Sequence, residues 1–437
     1  MTPAIVRTVL DAVARGRRDH ESTILYTASS LAKAGLGFVA TFVTMRAVAP
    51  DHLGLWTSMS LATTYSAFLQ AGVNNGLNRE LPYYLGAGDE DRARRLAGTA
   101  QAFTAVSCLI ALAAGIAALL IFRGRGSVFL AAVLVETLAV VCFFYQSYLT
   151  VTFRSTTSFK ALAKVEFVGV AIGLAALPLV YYFSYYGMLW RIAGTSLLGI
   201  AVLHLVRPIH VGLEWDGESL LRLLKTGIPI FALFYVESSF STVDRILLLR
   251  TGGVEQVGFY SLALMAQQAM MVVPMSIAMY MYPRMTYHWG RDGSRRALWR
   301  RAWRSTAVAA AAMLPLAVVA YLALPWFVTS FVPRYVPGIS AARIMVIGSL
   351  FSGTAIGVNA LWSMKAWKYM AAYQLCGAGL RALGPYVGLS LLSDSLIAVA
   401  LGTACACFLQ FALGMILTFH ATIVGADAGA DPIALRR

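Results

Sequence analysis

His52-Leu-Gly-Leu-Trp-Thr-Ser-Met-Ser-Leu-Ala62 and Gln256-Val-Gly-Phe-Tyr-Ser-Leu-Ala-Leu-Met-Ala266 are two versions of one stretch, about 204 residues apart. Each opens a long apolar span with a proline near its far end, Pro82 or Pro283. A basic segment follows in both copies: Gly88-Asp-Glu-Asp-Arg-Ala-Arg-Arg95 and Gly290-Arg-Asp-Gly-Ser-Arg-Arg296. The chain therefore reads as two repeated halves. Apolar runs near 22–48, 55–80, 97–122, 127–153, 158–183 and 186–207 fill the first half. Runs near 225–250, 255–284, 305–331, 338–364, 369–392 and 394–420 fill the second. Each suffices for a helix of about 20 residues crossing about 30 Å of hydrocarbon. Six spans per half is even, so both halves share one orientation, related by an axis along the membrane normal. The expected fold is an all-α integral membrane protein of about 12 transmembrane helices. These form two six-helix pseudo-repeated lobes around a central cavity, the layout of an alternating-access transporter. The expected organisation is a cytoplasmic N-tail (1–21), an N-lobe (22–207), a cytoplasmic linker (208–224), a C-lobe (225–420) and a cytoplasmic C-tail (421–437).

Composition demands a bilayer. The 437 residues are 59% hydrophobic and only 13% charged, with mean hydropathy +0.70. Soluble chains run near 45–50% apolar and about 25% charged, so a soluble enzyme, a disordered chain, a coiled coil and a disulfide scaffold are all excluded. The net charge of +15 sits in short segments between spans, the pattern that orients multi-pass proteins rather than one that binds nucleic acid. With both termini cytoplasmic, the inner segments hold most of the 35 Lys+Arg. The outer connections hold Arg46, Arg123, Arg125, Arg191, Arg250, Arg334 and Arg343, and Lys33, Arg245 and Arg381 fall within spans. Met1–Glu21 is polar and unlike a cleavable signal. The five cysteines lie in apolar runs without metal-type spacing.

Polar stripes at helical spacing mark the spans that line a pathway. Span 1 carries Thr27, Ser30, Lys33, Gly37, Thr41 and Thr44, and span 2 carries Ser60, Thr63, Gln70, Asn74 and Asn78. Span 7 carries Glu237, Ser241 and Asp244, and span 11 carries Gln374 and Arg381. Buried charge is the sharper signal, because a Lys, Arg or Asp at mid-bilayer costs about 2.5–3.5 kcal/mol even on the lenient scale. Lys33 lies roughly 16 Å along span 1, at 1.5 Å per residue. Two readings of these charges stand side by side. One is structural ion pairing within each lobe, Lys33 with Glu136 and Arg381 with Glu237. The other assigns Lys33, Arg381, Gln70, Asn74, Asn78, Arg79 and Arg284 to an anionic headgroup, and Glu237, Asp244, Arg245 and Glu136 to coupling and gating. Arg291–Arg304, with Trp299 and Trp303, reads as an amphipathic helix on an anionic leaflet.

Several segments carry a family resemblance. Met45-Arg-Ala-Val-Ala-Pro-Asp-His-Leu-Gly-Leu-Trp56 resembles the R-x-L-G-P-x-x-F-G-x-W segment between spans 1 and 2 of polysaccharide flippases. These belong to the multidrug/oligosaccharidyl-lipid/polysaccharide exporter superfamily. Val243-Asp-Arg-Ile-Leu-Leu248 with Val257-Gly-Phe-Tyr-Ser-Leu-Ala263 is similar to their span 7 exit and span 8 entry, and Pro333-Arg-Tyr-Val-Pro-Gly338 resembles the loop before span 10. The resemblance implies a flippase in the bacterial inner membrane, moving a polyprenyl-pyrophosphate-linked oligosaccharide from inner to outer leaflet. It implies lipid-linked oligosaccharide and membrane lipids as partners, with a glycan polymerase or chain-length regulator nearby. A monomer is expected, with no nucleic acid partner, no metal and no cofactor beyond H+ or Na+ coupling.

The competing function is a cation-coupled drug or metabolite antiporter of the same superfamily, built on Glu237, Asp244 and Tyr235. A major-facilitator carrier fits less well, because Asp91-Arg-Ala-Arg-Arg95 lacks the glycines of that family's inner loop. A membrane glycan polymerase would need a long outer loop, and a built-in ATPase would need a Gly-Lys-Ser/Thr phosphate loop absent from the sequence. The expected protein is therefore a secondary transporter rather than an enzyme.

Overall fold

The computed structural model describes residue 25 and residues 28–424. The expected tail 1–21, the part of 421–437 beyond 424, and Thr27 lie outside the described residues. Among the described residues there is helix and no strand. The first half runs through α1 (Ala28–Ala47), the segments α2 (Pro50–Met59), α3 (Leu61–Ser66) and α4 (Val73–Gly86), then α5 (Glu90–Ile121), α6 (Ser127–Ser155), α7 (Phe159–Ala175) and α8 (Leu177–Leu205). The second half runs through α9 (Gly217–Phe240), α10 (Val243–Thr251), α11 (Gly253–Asp292), α12 (Arg295–Phe331), α13 (Ile339–Thr354), α14 (Asn359–Ser363), α15 (Trp367–Leu391) and α16 (Ser395–Phe419). Nine helical runs among the described residues are long and apolar enough to cross a membrane. The others needed to complete twelve are the segmented second span, the fifth, and the eleventh with its Gln374 and Arg381.

Two compact units emerge. One gathers the described residues up to Ala47 with Ala62–Ala232, and the other gathers Val48–Leu61 with those from Leu233 onward. These units follow the repeat except at two places: α2 packs in the second unit and the first turns of α9 pack in the first.

The reason for the first exception lies in the repeated motif itself. A Cβ added at Gly54 of α2 would collide with the Val254 carbonyl, and one at Gly258 of α11 would collide with the Pro50 carbonyl. Pro50 and Val254 are themselves one repeat apart, as are Gly54 and Gly258, so the contact is reciprocal. Thr57 and Ser261, again 204 residues apart, share a hydrogen bond of 3.2 Å between their hydroxyls. Two helices with bare glycines at the crossing bring their backbones together, which in lipid is a main source of association. Tyr335, fully buried, donates to the Val48 carbonyl at 3.0 Å, and Gly338 abuts the Phe259 carbonyl. The segments that carry the family resemblance thus converge on one crossing.

In the first unit, the second span breaks after a 3-10 turn at Ala67–Gln70, where Ala71 (φ 45°) and Gly72 (φ 76°) both adopt left-handed backbone. Gly72 tolerates this and Ala71 does so at a cost of about 1–2 kcal/mol. The break lets Gly72 and Gly76, a small-x-x-x-small pair, receive α9 at Leu223 and Gly227. That contact explains the second exception. Around it lies a core of Leu77, Leu81, Leu96, Leu149, Phe153 and Leu223.

Three local readings change. The expected linker 208–224 turns helical at Gly217. Asp216 caps the new helix by accepting from Ser219 N at 3.1 Å, and hydrogen bonding to Ser219 holds its carboxyl below the usual aspartate range. Arg191 is not in an outer connection. The chain reverses at Ser184 (φ 50°, ψ −120°), Gly187 abuts the Leu179 carbonyl, and Arg191 follows well inside α8. Arg291–Arg304 is not a separate surface helix. It forms the end of α11 and the start of α12, turned at Gly293 (φ 59°) and capped by Ser294, whose hydroxyl accepts from Ala297 N at 3.3 Å. The apolar run entering α12 favours continuing the helix over bending it onto a surface.

Substituting leucine at Gly54 or Gly258 forces a side chain into a backbone carbonyl, at a cost of about 1–3 kcal/mol or more. Thermal unfolding in detergent is expected to show a clear loss for G54L and G258L and none for G35L, since a Cβ at Gly35 meets nothing.

Candidate functional site

The first unit contains a pocket of about 320 Å³ between α1, α6, α7 and α8. Its charged lining is Lys33 from α1, Arg154 from α6, Glu166 from α7 and Arg191 from α8. Small residues make the room: Gly169, Gly173 and Gly199 line it, and Gly173 lets α7 close onto Leu36 of α1. Glu166 accepts from the Ser29 hydroxyl at 2.6 Å, one helical turn before Lys33. Neither Lys33 nor Arg191 has an ion pair among the described residues, and the Arg191 Nε is buried without a hydrogen-bond partner. Lys33 and Arg191 alone outnumber Glu166 in this lining; Lys33 is exposed and Arg191 half-buried.

The second unit handles charge differently. Arg381 on α15 places its guanidinium 3.8 Å from Glu237 on α9 and donates from Nε to Gln410 Oε1 at 3.0 Å. Asp244 on α10 is buried, contacts Arg245 Nε at 3.4 Å and accepts from the Tyr260 hydroxyl at 3.0 Å. Glu237 and Asp244 each have a guanidinium beside them. Lys33 and Glu237 occupy the same register of the two repeats, 204 residues apart. The duplicated position therefore carries opposite charges.

The structural pairing reading thus holds for Arg381 with Glu237 but not for Lys33 with Glu136. Glu136 is buried and accepts from Thr63 instead, from N at 3.0 Å and from the hydroxyl at 2.6 Å. Thr63 is the third residue of the helix that begins at Leu61, so its backbone N–H is free of the helix ladder to serve the carboxylate.

Gln70 and Asn74 flank the break in the second span and bond each other at 3.0 Å, with Asn74 also donating to Ser147 at 3.2 Å. Gln70 Nε2 and Asn74 Oδ1 remain buried and unpaired. Asn78 and Arg79 are exposed on α4, and Arg284 is exposed on α11 of the second unit. Gln70, Asn74, Asn78 and Arg79 do not line the first unit's pocket. Arg191 and Gln410 were missed by reasoning from sequence. Arg191 had a legible signal, because it falls inside the sixth apolar run.

Breaking a half-buried ion pair costs less than the 3–5 kcal/mol of a fully buried one, and about 1–2 kcal/mol fits groups roughly a quarter exposed. Arg381→Met is expected to lower the detergent melting temperature, with Glu237→Gln in the same chain recovering part of the loss. Lys33→Met is expected to leave it unchanged, and a drop equal to that of R381M would contradict the unpaired placement.

The protein family described as "Polysaccharide biosynthesis protein" matches residues 46–333. No curated protein matches the sequence. Among solved structures, the chain is similar to an inward-facing multidrug resistance MATE family transporter of the MOP superfamily, with TM-score 0.75 and 14% identity, covering 92% of this chain and 96% of that one. It is also similar to the lipid II flippase MurJ in an inward closed conformation, with TM-score 0.69 and 13% identity, covering 91% and 87%. An outward-facing MATE family transporter matches with TM-score 0.62 and 14% identity, covering 94% and 97%. At these identities the likeness concerns the fold.

Proposed function

Since the chain belongs to the polysaccharide biosynthesis protein family, we propose that it is a flippase carrying a polyprenyl-pyrophosphate-linked oligosaccharide from the inner to the outer leaflet of a bacterial inner membrane. The observation that carries this reading is the pocket of the first unit, where Lys33 and Arg191, neither in an ion pair among the described residues, outnumber Glu166. A pyrophosphate presents several anionic oxygens, and guanidinium forks match such groups with two hydrogen bonds at once. Holding unpaired cations inside a membrane protein costs free energy that an incoming anion offsets. The isoprenoid tail needs no protein site, because lipid solvates it.

Energy comes from an ion gradient, with H+ or Na+ as the coupling ion, in keeping with the lack of a nucleotide loop in the sequence. The drug-antiporter reading needs a cavity of net negative charge. The acids expected to supply it, Glu237 and Asp244, are compensated by Arg381 and Arg245, which favours the flippase.

Reconstituted into liposomes, the protein is expected to move a fluorescent polyprenyl-pyrophosphate oligosaccharide between leaflets, and the double variant Lys33→Ala, Arg191→Ala to slow this by about tenfold or more, one lost charged hydrogen bond being worth about 1.5–3 kcal/mol. Transport of a cationic dye with no movement of the lipid would replace this reading with the antiporter.

A further inference from the structure

The second unit holds a pocket of its own, about 190 Å³, lined by Ser241, Asp244, Arg245, Gln267, Arg381 and Thr403, with Leu264 and Cys407 as its apolar wall. Its chemistry differs from that of the first unit. Two guanidiniums face it, but Arg245 is matched by Asp244 and Arg381 by Glu237, so the pocket is close to neutral. A neutral pocket gains little from an anion. It is also too polar for a hydrocarbon chain, which would strand charged and amide groups without water at a cost for each.

What it offers is a dense mixture of donors and acceptors held in fixed positions. Arg245 is tied by its Nε to Asp244 and by its terminal nitrogen to the Ser241 carbonyl at 3.2 Å. Arg381 is tied to Gln410 and Glu237. Tyr260 fastens Asp244 from behind. These bonds set the orientation of each planar group while leaving part of each guanidinium uncommitted. Gln267 has no side-chain hydrogen bond among the described residues, so its amide is available as both donor and acceptor. A ligand matched to this surface is uncharged, compact, and carries several groups that donate and accept together. Those are the properties of a sugar ring with its hydroxyls.

We propose that this pocket is a carbohydrate subsite, taking one neutral sugar residue of the oligosaccharide by hydrogen bonds to Gln267, Thr403 and the outer edges of the Arg245 and Arg381 guanidiniums. The proposal rests on the flippase reading and adds to it a place for the glycan separate from the phosphate-binding pocket. A site built to bond hydroxyls rejects ligands lacking them, because its own polar groups would be left unpaired.

The test uses the full-length protein in lipid nanodiscs and two probes. One is the lipid-free repeat-unit oligosaccharide released by mild acid from the cell's own lipid-linked pool. The other is polyprenyl pyrophosphate with no sugar. Equilibrium binding is measured for wild type, Gln267→Ala and Thr403→Val, neither of which removes a charge from the ion-pair network. The expected result is that each variant weakens oligosaccharide binding by about tenfold, as for loss of one or two hydrogen bonds, and leaves binding of the sugar-free lipid unchanged. If wild type binds both probes and both variants bind the oligosaccharide as well as wild type, the subsite is overturned and the flippase reading stands. Wild type binding neither probe would overturn both. A variant that loses both probes together has lost its fold, so the surviving variant then decides.

Discussion

The close crossing of α2 and α11 is the contact on which the second unit is built. Gly54 and Gly258 each face the backbone carbonyl of the residue four positions before the other, and Thr57 bonds Ser261 at the same register. In a membrane there is no hydrophobic effect to press helices together, so association depends on close packing and a few internal hydrogen bonds. Glycine at the crossing supplies the first and the paired hydroxyls supply the second. Tyr335 then closes the assembly by reaching the Val48 carbonyl. Because the partners are copies of one stretch, the same chemistry acts from both sides.

The two units solve the problem of charge in lipid in opposite ways. In the second, Glu237 and Asp244 are matched by Arg381 and Arg245, and a buried phenol fixes the geometry. In the first, Lys33 and Arg191 stand outside any ion pair among the described residues, around a cavity of about 320 Å³ whose lining has Glu166 as its carboxylate. Since a paired arrangement was available at the equivalent register, where Glu237 meets Arg381, the unpaired one is the more informative. Uncompensated charge of one sign inside a bilayer is expensive to keep and is found where a ligand or a water-filled path supplies the missing partner.

Much of this was legible from the amino-acid sequence, and the failures have physical causes. Hydropathy and the 204-residue repeat carried the helices, because a membrane span must be long, apolar and self-bonded. Lys33 and Arg381 stood out as charges deep in apolar runs. Arg191 did not, because Tyr181, Tyr182, Tyr185, Tyr186 and Trp190 around it mimic the aromatic belt at a membrane surface. Its position inside the sixth apolar run was the available signal, and the reversal at Ser184, a backbone conformation that hydropathy does not encode, fixes its place. The partner of Glu136 was also beyond reach. A carboxylate answered by a hydroxyl and a backbone N–H looks, in sequence, the same as one awaiting a lysine. The exchange of α2 and the first turns of α9 between units followed from glycine contacts whose partners lie well over 100 residues away, and no local pattern announces such pairs.

The length of α11 has a mechanical meaning. Its 40 residues make a rod of about 60 Å at 1.5 Å per residue, gripped near one end at Gly258 and bearing Arg284 and Arg291 near the other. Two prolines lie between, Pro274 and Pro283, and each removes a backbone hydrogen bond and permits a bend. A tilt at the glycine grip is thereby absorbed along the rod, which uncouples the packed crossing from the arginine-bearing tip.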